Sequence, residues 1–170
     1  MSGPQHVLSD LGEWDGLESF TCGVADLDAW LHESAKRAQK AGTVRVKILR
    51  AVGDHVPVGY YAICPTEVRR EELALSSKVR GAMSRVPGFM LAKLAVASAV
   101  QGAGLGRDLL VDALEHICEA SQLVGGRIVV VDPIDDRAAS FYARHGFTRV
   151  EGSPRMFMLV HDARRSLGLD

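Results

Sequence analysis

The stretch FMLAKLAVASAVQGAGLG, residues 89–106, decides the fold of this chain. It predicts an apolar strand over 89–97 that leads, through a turn, into an amphipathic helix running to about Val124. The turn carries three glycines at alternate positions: Gly102, Gly104 and Gly106. Glycines let the backbone approach a ligand closely, and the N-terminus of a helix carries partial positive charge. The pattern therefore predicts a site for a phosphate-bearing ligand.

Two common phosphate loops do not fit this turn. The Walker loop ends in Gly-Lys-Ser/Thr, whereas Gly106 is followed by Arg107 and Asp108. The dinucleotide pattern GxGxxG needs a glycine at position 107 and an acid at the tip of the next strand, where only Asp132 is available. A glycine-rich connection without a ligand stays an alternative, although three glycines at a helix start are costly without a reason.

The remaining chain alternates between predicted helices and strands. Asp26 is a candidate N-cap for a helix that ends before Gly42, and Asp135 opens a helix that closes at Gly146. The other predicted elements are strands over 43–52, 56–63, 128–131 and 155–160, and a polar helix within 69–84. This order predicts one α/β domain over 1–170, with a mixed sheet and helices on both faces.

Composition excludes several classes of protein. The chain is 47% hydrophobic and 24% charged, with a net charge of −1, which is an ordinary globular balance. The three cysteines lie far apart and the six histidines do not cluster, so we expect no metal site. Residues 1–16 lack a signal-peptide pattern and no run of 18 apolar residues occurs, so we expect a soluble, cytoplasmic protein.

Two motifs resemble the GNAT family of N-acetyltransferases. The segment Gln101-Gly102-Ala103-Gly104-Leu105-Gly106 matches the family's acetyl-CoA signature, Q/RxxGxG/A. A second motif matches at fixed spacing: Asp135-x-x-Ala138-x-x-Phe141-Tyr142-x-x-x-Gly146-Phe147. The resemblance implies a splayed GNAT-type mixed sheet, acetyl-CoA as acetyl donor and no metal.

The resemblance also implies roles for individual residues. Tyr142 matches the tyrosine that protonates the leaving thiolate, with a packed helix tyrosine as the alternative. Asp135 replaces the asparagine of many relatives, and Phe141 also fits a core position. The residues implied to bind the cofactor are Leu94, Ala95, Val96, Gln101, Gly102, Ala103, Gly104, Leu105, Gly106, Arg107, Asp135, Ala138 and Phe141.

A narrower resemblance covers residues 20–160. The segments Phe20-x-Cys22-Gly23-x-x-x-Leu27-Asp28-x-Trp30-Leu31 and Val58-Gly59-Tyr60-Tyr61-Ala62 are similar to the GNAT toxins of type II toxin–antitoxin systems. Those toxins acetylate the amino group of aminoacyl-tRNA and so block translation. The resemblance implies aminoacyl-tRNA as substrate and a small DNA-binding antitoxin as partner, and it leaves a homodimer open.

A tRNA substrate requires basic residues to contact its phosphates. Residues 34–50 carry six bases and no acid, and residues 73–107 carry five bases and no acid. The predicted RNA-binding residues are Lys36, Arg37, Lys40, Arg45, Lys47, Arg80, Arg85 and Lys93. Unconnected, solvated charges are the alternative interpretation, and the net charge of −1 favours that alternative.

The acceptor amine leaves further alternatives. A GNAT enzyme acting on a small-molecule amine or a protein amino group would keep the donor site, and a non-catalytic module would bind CoA or an antitoxin. An α-amino group titrates near pH 8, at about 7.7–8.0, so much of it is neutral at physiological pH. A direct attack on the thioester therefore needs no covalent nucleophile, and the sequence offers no convincing general base.

Overall fold

The structure, a computed structural model of the chain, describes residues 5–12, 16–73 and 84–170. Its α-helices are α1 (Ala25–Ala29), α2 (Ala35–Lys40), α3 (Leu105–Val124), α4 (Asp136–Arg144) and α5 (Val160–Leu167). Its strands are β1 (His6–Asp10), β2 (Arg45–Ala51), β3 (Pro57–Arg69), β4 (Arg85–Val96), β5 (Ile128–Val131), β6 (Thr148–Arg149) and β7 (Met156–Leu159). A π-helical turn, Trp30–Ser34, joins α1 to α2.

The described strands form a seven-stranded sheet in the order β1-β2-β3-β4-β5-β7-β6. β1 pairs antiparallel with β2, and β2 with β3, whereas β4 and β5 are parallel. β7 pairs antiparallel with both β5 and β6. The prediction of an α/β fold with a mixed sheet is therefore confirmed.

The chain divides into two compact units. Unit 1 comprises Met1–Cys64 and Lys93–Ala113, and unit 2 comprises Pro65–Ala92 and Leu114–Asp170. β3, β4 and α3 each contribute residues to both units. Because these three elements contribute to both units, we propose that residues 1–170 form a single domain.

Unit 1 has helices on both faces of its strands. The two short helices and the π-helical turn between them are called here the helical segment 25–40. On one face of the strands Tyr60 and Ile48 pack in a buried cluster with Leu31 of this segment. On the other face lies Gly59, where a Cβ atom would come within 2.9 Å of the Leu109 side chain in α3. Glycine therefore lets α3 approach β3 closely at this point.

The core of unit 2 forms around β5. All four residues of β5 are buried, and Ile128 packs with Phe157 of β7 and Val68 of β3. Gly88 of β4 pairs with Ile128, and a Cβ atom at position 88 would lie 2.3 Å from the Ile128 carbonyl oxygen. Glycine is therefore required for β4 to pair with β5 here.

Several predicted boundaries are wrong. The N-cap of α1 is Val24, without a side-chain cap, whereas the predicted cap Asp26 lies in the first turn. β3 continues to Arg69, beyond the predicted end at 63. Of the polar helix predicted within 69–84, the structure has a 3-10 turn over Arg70–Leu73, and residues 74–83 lie outside the described part.

Candidate active site

The glycine turn leaves backbone amides exposed at the start of α3. The Asp108 N–H donates to the Gly104 carbonyl oxygen at 3.2 Å, which closes the first helical turn. The amides preceding Asp108 therefore have no carbonyl partner within the helix. Gly102 and Gly104 have φ of +85° and +83°, and no atom lies within 4 Å of where their Cβ atoms would be. This open backbone surface fits the pyrophosphate of acetyl-CoA.

The end of β4 presents a second row of backbone groups. Pairing with β5 covers Gly88 to Met90 only, whereas β4 continues to Val96. The Ala97 N–H donates to Val58 of β3 at 2.8 Å, so Ala97 and Ala95 direct their backbone groups to β3. Alternation along the strand directs those of Leu94 and Val96 to the opposite edge. Of the three predicted strand residues, these two have backbone groups on the edge that β5 does not occupy.

The Gln101 side chain turns back from the loop into unit 1. Its Nε2 atom donates to the carbonyl oxygens of Val96 and Cys22, at 3.0 Å each. The side chain thus ties the loop to β4 and to the segment before α1, while the loop backbone remains exposed. The contact between Gln101 and Cys22 was not predicted from the sequence. The toxin-like spacing of Cys22 and Asp28 was the feature of the sequence that could have indicated it.

Cys22 and Asp28 form a polar pair beside this contact. Burial raises the pKa of the Cys22 thiol to about 11, and a hydrogen bond to Asp28 adds to the rise. Partial burial opposes ionisation of Asp28, but hydrogen bonds from Cys22 and Thr21 outweigh it, so the pKa of Asp28 lies below its ordinary value. Cys22 is therefore a protonated, structural thiol at neutral pH.

The second motif forms α4 in unit 2. Asp135 is the N-cap, and its side chain accepts a hydrogen bond from the Ala138 N–H at 2.8 Å. The prediction that Asp135 opens a helix is confirmed, and this carboxylate is occupied by capping. Ala138 and Phe141 are half-buried, on the same helix as Tyr142.

Tyr142 is a buried tyrosine of α4. Its side chain is 8% exposed and its ring packs edge-on against Phe141 and Phe147, with centroids 5.2 and 5.4 Å away. Burial raises the pKa of Tyr142 well above its ordinary value. Within the described chain its hydroxyl has no hydrogen-bond partner. The phenol is therefore protonated at neutral pH and able to donate to a ligand.

His145 follows Tyr142 but is engaged elsewhere. Its Nδ1 atom lies 2.8 Å from the Phe141 carbonyl oxygen, and its ring packs against the Phe141 ring with centroids 4.6 Å apart. These contacts fix the imidazole at the C-terminal end of α4. They give no support to His145 as a general base.

The predicted RNA-binding residues are placed in different surroundings. Lys36, Arg37 and Lys40 are exposed on α2, and the Lys93 ammonium lies 5.6 Å from the centre of the Trp30 ring. Arg45 is exposed on β2.

Two further members of this set pair with acids, and one is not described. Lys47 lies 2.8 Å from Asp10, and Arg85 of unit 2 lies 2.9 Å from Glu67. Arg80 lies outside the described residues.

The basic residues of unit 1 divide between the two faces of its strands. Val46 and Ile48 pack on the face that carries the helical segment 25–40. Side chains alternate along a strand, so Arg45 and Lys47 lie on the opposite face, the one against which α3 packs at Gly59. Lys93 contacts Trp30 and so lies on the helical-segment side, together with the bases of α2. One face of unit 1 therefore carries the exposed bases of α2 and Lys93.

Metal-binding groups and membrane-spanning helices are two further features that the described residues lack. They hold no group of three or more His, Cys, Asp or Glu side chains that could bind a metal ion. None of their helices is both long and apolar enough to cross a membrane.

Comparison with known proteins identifies similar chains. The family model described as "Acetyltransferase (GNAT) domain" matches residues 46–149. A "tRNA-acetylating toxin" of Mycobacterium tuberculosis (strain ATCC 25618 / H37Rv) is 31% identical over 160 residues, covering 93% of this chain and 94% of the relative.

Solved structures show the same fold. "AtaT complexed with acetyl-methionyl-tRNAfMet" superposes with a TM-score of 0.85 at 26% identity, covering 97% of this chain and 98% of that one. A mutant of the AtaT toxin bound to the C-terminus of the antitoxin AtaR and acetyl-CoA superposes with a TM-score of 0.79 at 22% identity, covering 95% and 97%. The expected GNAT-type sheet is thereby confirmed.

Proposed function

Since the chain belongs to the GNAT acetyltransferase family, we propose that it transfers the acetyl group of acetyl-CoA to the α-amino group of aminoacyl-tRNA. The observation that carries the acceptor is the 31% identity, along 93% of the chain, to a relative named tRNA-acetylating toxin. Acetylation of that amine removes the nucleophile of peptide synthesis, so the protein would act as a toxin on translation. Its place of action is then the cytoplasm, and its partner a small DNA-binding antitoxin.

The donor site is supported by the backbone of unit 1. We assign the pyrophosphate to the exposed amides from Gly102 to Arg107, where the start of α3 favours an anion. We assign the pantetheine arm to the open edge of β4, to the backbone groups of Leu94 and the N–H of Val96, since the Val96 carbonyl already accepts from Gln101. Acetyl-CoA supplies an activated acetyl thioester, and these residues bind and orient it.

The proposed reaction needs one proton donor, the Tyr142 hydroxyl, for the leaving thiolate. The neutral amine attacks the thioester carbonyl, a C–N bond forms and the C–S bond breaks. The leaving thiolate takes the proton of the Tyr142 hydroxyl, and the amine loses a proton to water. Tyr142 regains a proton from solvent before the next turnover. Burial supports this role because it keeps the Tyr142 phenol protonated until the thiolate forms.

The acceptor site is supported by charge. Lys36, Arg37 and Lys40 are exposed together on α2, and Lys93 lies on the same side of unit 1. Arginine and lysine neutralise phosphates without reading sequence, so this cluster fits the backbone of a tRNA end. The stacked pair of Trp30 and Tyr60, whose ring centroids are 5.9 Å apart, holds the indole beneath Lys93.

An acceptor competition tests the proposed function. Purified protein is mixed with radiolabelled acetyl-CoA and, in separate reactions, with charged total tRNA, the same tRNA after deacylation, polyamines and peptides. We expect label to enter charged tRNA and to be absent from deacylated tRNA. Acetylation of a polyamine or peptide without charged tRNA would instead show a GNAT enzyme for small amines or protein amino groups.

Neutralising α2 tests the acceptor surface. Replacing Lys36, Arg37 and Lys40 with glutamine should raise the KM for charged tRNA and leave acetyl-CoA affinity unchanged, because α2 is assigned to tRNA phosphates and the donor site to the backbone of β4 and the glycine turn. The affinity for tRNA decreases with added salt, and each phosphate contact makes the slope of log affinity against log salt steeper by about 1. The triple variant should therefore show a slope that is shallower by about 3. Tritiated tRNA binding between low and physiological salt measures this slope.

A matched control separates local contacts from total charge. Arg127, Arg149 and Arg165 are exposed in unit 2, and their replacement by glutamine removes the same three charges. The control should keep the wild-type salt slope. Equal slopes for the two triple variants would show that α2 makes no specific contact with tRNA.

A further inference from the structure

The toxin-like segment Phe20 to Cys22, called here the 20–22 strap, is held from the helix side by three hydrogen bonds. The Cys22 N–H donates to Asp28 Oδ1 at 2.9 Å, and the Thr21 hydroxyl donates to Asp28 Oδ2 at 3.1 Å. The Nε2 atom of His32 lies 2.9 Å from the Phe20 carbonyl oxygen. Asp28 alone therefore engages two successive residues of the strap.

The same strap holds the glycine turn on its other side. The Ser98 N–H donates to the Thr21 carbonyl oxygen at 2.8 Å. The Gln101 side chain donates to the Cys22 carbonyl oxygen at 3.0 Å and to the end of β4 at the same distance. The strap thus lies between the helical segment 25–40 and the beginning of the proposed pyrophosphate loop.

The strap is anchored in the core of unit 1. Phe20 is 1% exposed, and its ring meets the Tyr60 ring edge-on with centroids 5.5 Å apart. Cys22 is buried as well, so the two ends of the strap cannot shift without opening the core. Asp28 is thereby connected to Gln101 through the three residues of the strap.

The glycine turn needs such support from outside. Gly102 and Gly104 adopt positive φ values and have no neighbouring atom where a side chain would stand. Glycine backbone is conformationally free, so the turn must be held by its surroundings if its amides are to meet a pyrophosphate in one arrangement. Among the described residues, the contacts of Gln101 and Ser98 with the strap and the end of β4 supply such support.

We propose that Asp28 is a positioning residue for the acetyl donor: it holds the 20–22 strap, which holds Gln101 and so orders the amides of the glycine turn. The inference rests on the proposed function, because it assumes that the turn binds the pyrophosphate of acetyl-CoA. It also gives a physical reason for the spacing of Cys22 and Asp28 in a chain that carries Gln101.

The test compares two acetyl donors by calorimetry. Acetyl-CoA carries the pyrophosphate and the phosphorylated adenosine, whereas S-acetyl-pantetheine has the same thioester arm without them. Asp28→Ala should weaken acetyl-CoA binding about tenfold, the effect of one hydrogen bond to a charged group, and leave S-acetyl-pantetheine binding unchanged. Asp26→Ala is the matched control, since Asp26 is an exposed acid of the same helical turn, and it should bind both donors like the wild type.

A double-mutant cycle identifies the route of the effect. If Asp28 acts through Gln101, the variant carrying both Asp28→Ala and Gln101→Ala should bind acetyl-CoA no more weakly than the weaker single variant. Two independent losses would instead multiply. Multiplying losses would overturn the inference.

The outcomes separate this inference from the proposed function. A wild-type protein without preference for acetyl-CoA over S-acetyl-pantetheine would refute the pyrophosphate site, and this inference with it. A wild-type preference that Asp28→Ala leaves intact would refute the inference alone. If Asp28→Ala does not fold, Thr21→Val removes one strap contact while keeping the side-chain shape, and it should reduce the same preference to a smaller extent.

Discussion

Replacing Tyr142 with phenylalanine will lower the rate of acetyl transfer by about 10²- to 10⁴-fold, the usual contribution of a general acid. The change removes one oxygen atom whose hydrogen-bonding capacity no described residue uses, so folding and acetyl-CoA binding should survive. Single-turnover rates at saturating acetyl-CoA and charged tRNA measure the chemical step. Expression of the variant should no longer arrest translation.

Tyr61→Phe is the matched control for hydroxyl removal. The Tyr61 hydroxyl donates to Asp112 of α3 at 2.6 Å, so its loss should cost stability and leave turnover within a few-fold of wild type. Near wild-type turnover in the Tyr142 variant would remove Tyr142 from the mechanism.

The pH profile gives an independent reading of the same hydroxyl. Burial raises the pKa of Tyr142, so the phenol keeps its proton from pH 6 to 9. The wild-type rate should therefore rise as the acceptor amine loses its proton, up to about pH 8, without falling again by pH 9. Stability linked to this tyrosine is fully present below its ordinary pKa of about 10 and is lost only above it, so titration of Tyr142 does not destabilise the fold in this range.

Replacing Gly104 with valine should abolish acetyl-CoA binding at working concentrations. Gly104 has a φ of +83°, which a β-branched residue rarely adopts, and its backbone is assigned to the pyrophosphate. Displacing two amide hydrogen bonds to a charged group, worth about 1.5–3 kcal/mol each, would weaken binding by at least about 10²-fold. Calorimetry with acetyl-CoA measures the loss.

Gly53→Val controls for backbone strain. Gly53 has a φ of +82° and, like Gly104, no atom within 4 Å of where its Cβ would lie, but it belongs to the turn between β2 and β3. Its substitution should lower thermal stability as much as that of Gly104 does and leave acetyl-CoA affinity unchanged. Unchanged affinity in the Gly104 variant would contradict the loop assignment.

The half of the chain with strong local signals was predictable from sequence. The glycine turn predicted an amphipathic helix after it that runs to about Val124, and α3 spans Leu105–Val124. The apolar β-branched run predicted β5 at Ile128–Val131, as observed. The capping role of Asp135 also followed from its position before an amphipathic segment. In each case the deciding interactions lie within a few residues along the chain.

Features that depend on distant partners were not predictable. Near the start of α1, the Asp28 side chain accepts hydrogen bonds from the 20–22 strap. Asp26, whose position in the sequence predicted an N-cap, lies in the first turn of the helix instead. β1 lies at the sheet edge and takes its register from β2, which follows it by more than 30 residues. The Gln101 side chain matched the donor motif, yet its observed partners are Cys22 and Val96.

The interleaving of the two units has a consequence for biosynthesis. Unit 1 comprises Met1–Cys64 and Lys93–Ala113. During synthesis, β1 and β2 therefore cannot complete the packing of this unit until β4 and the start of α3 have left the ribosome. Such long-range closure delays folding. Tyr142 lies later still in the chain, and a nascent chain therefore lacks a complete set of proposed catalytic groups until synthesis has passed α4. The proposed acetyl transfer therefore cannot begin before β4, α3 and α4 have all left the ribosome.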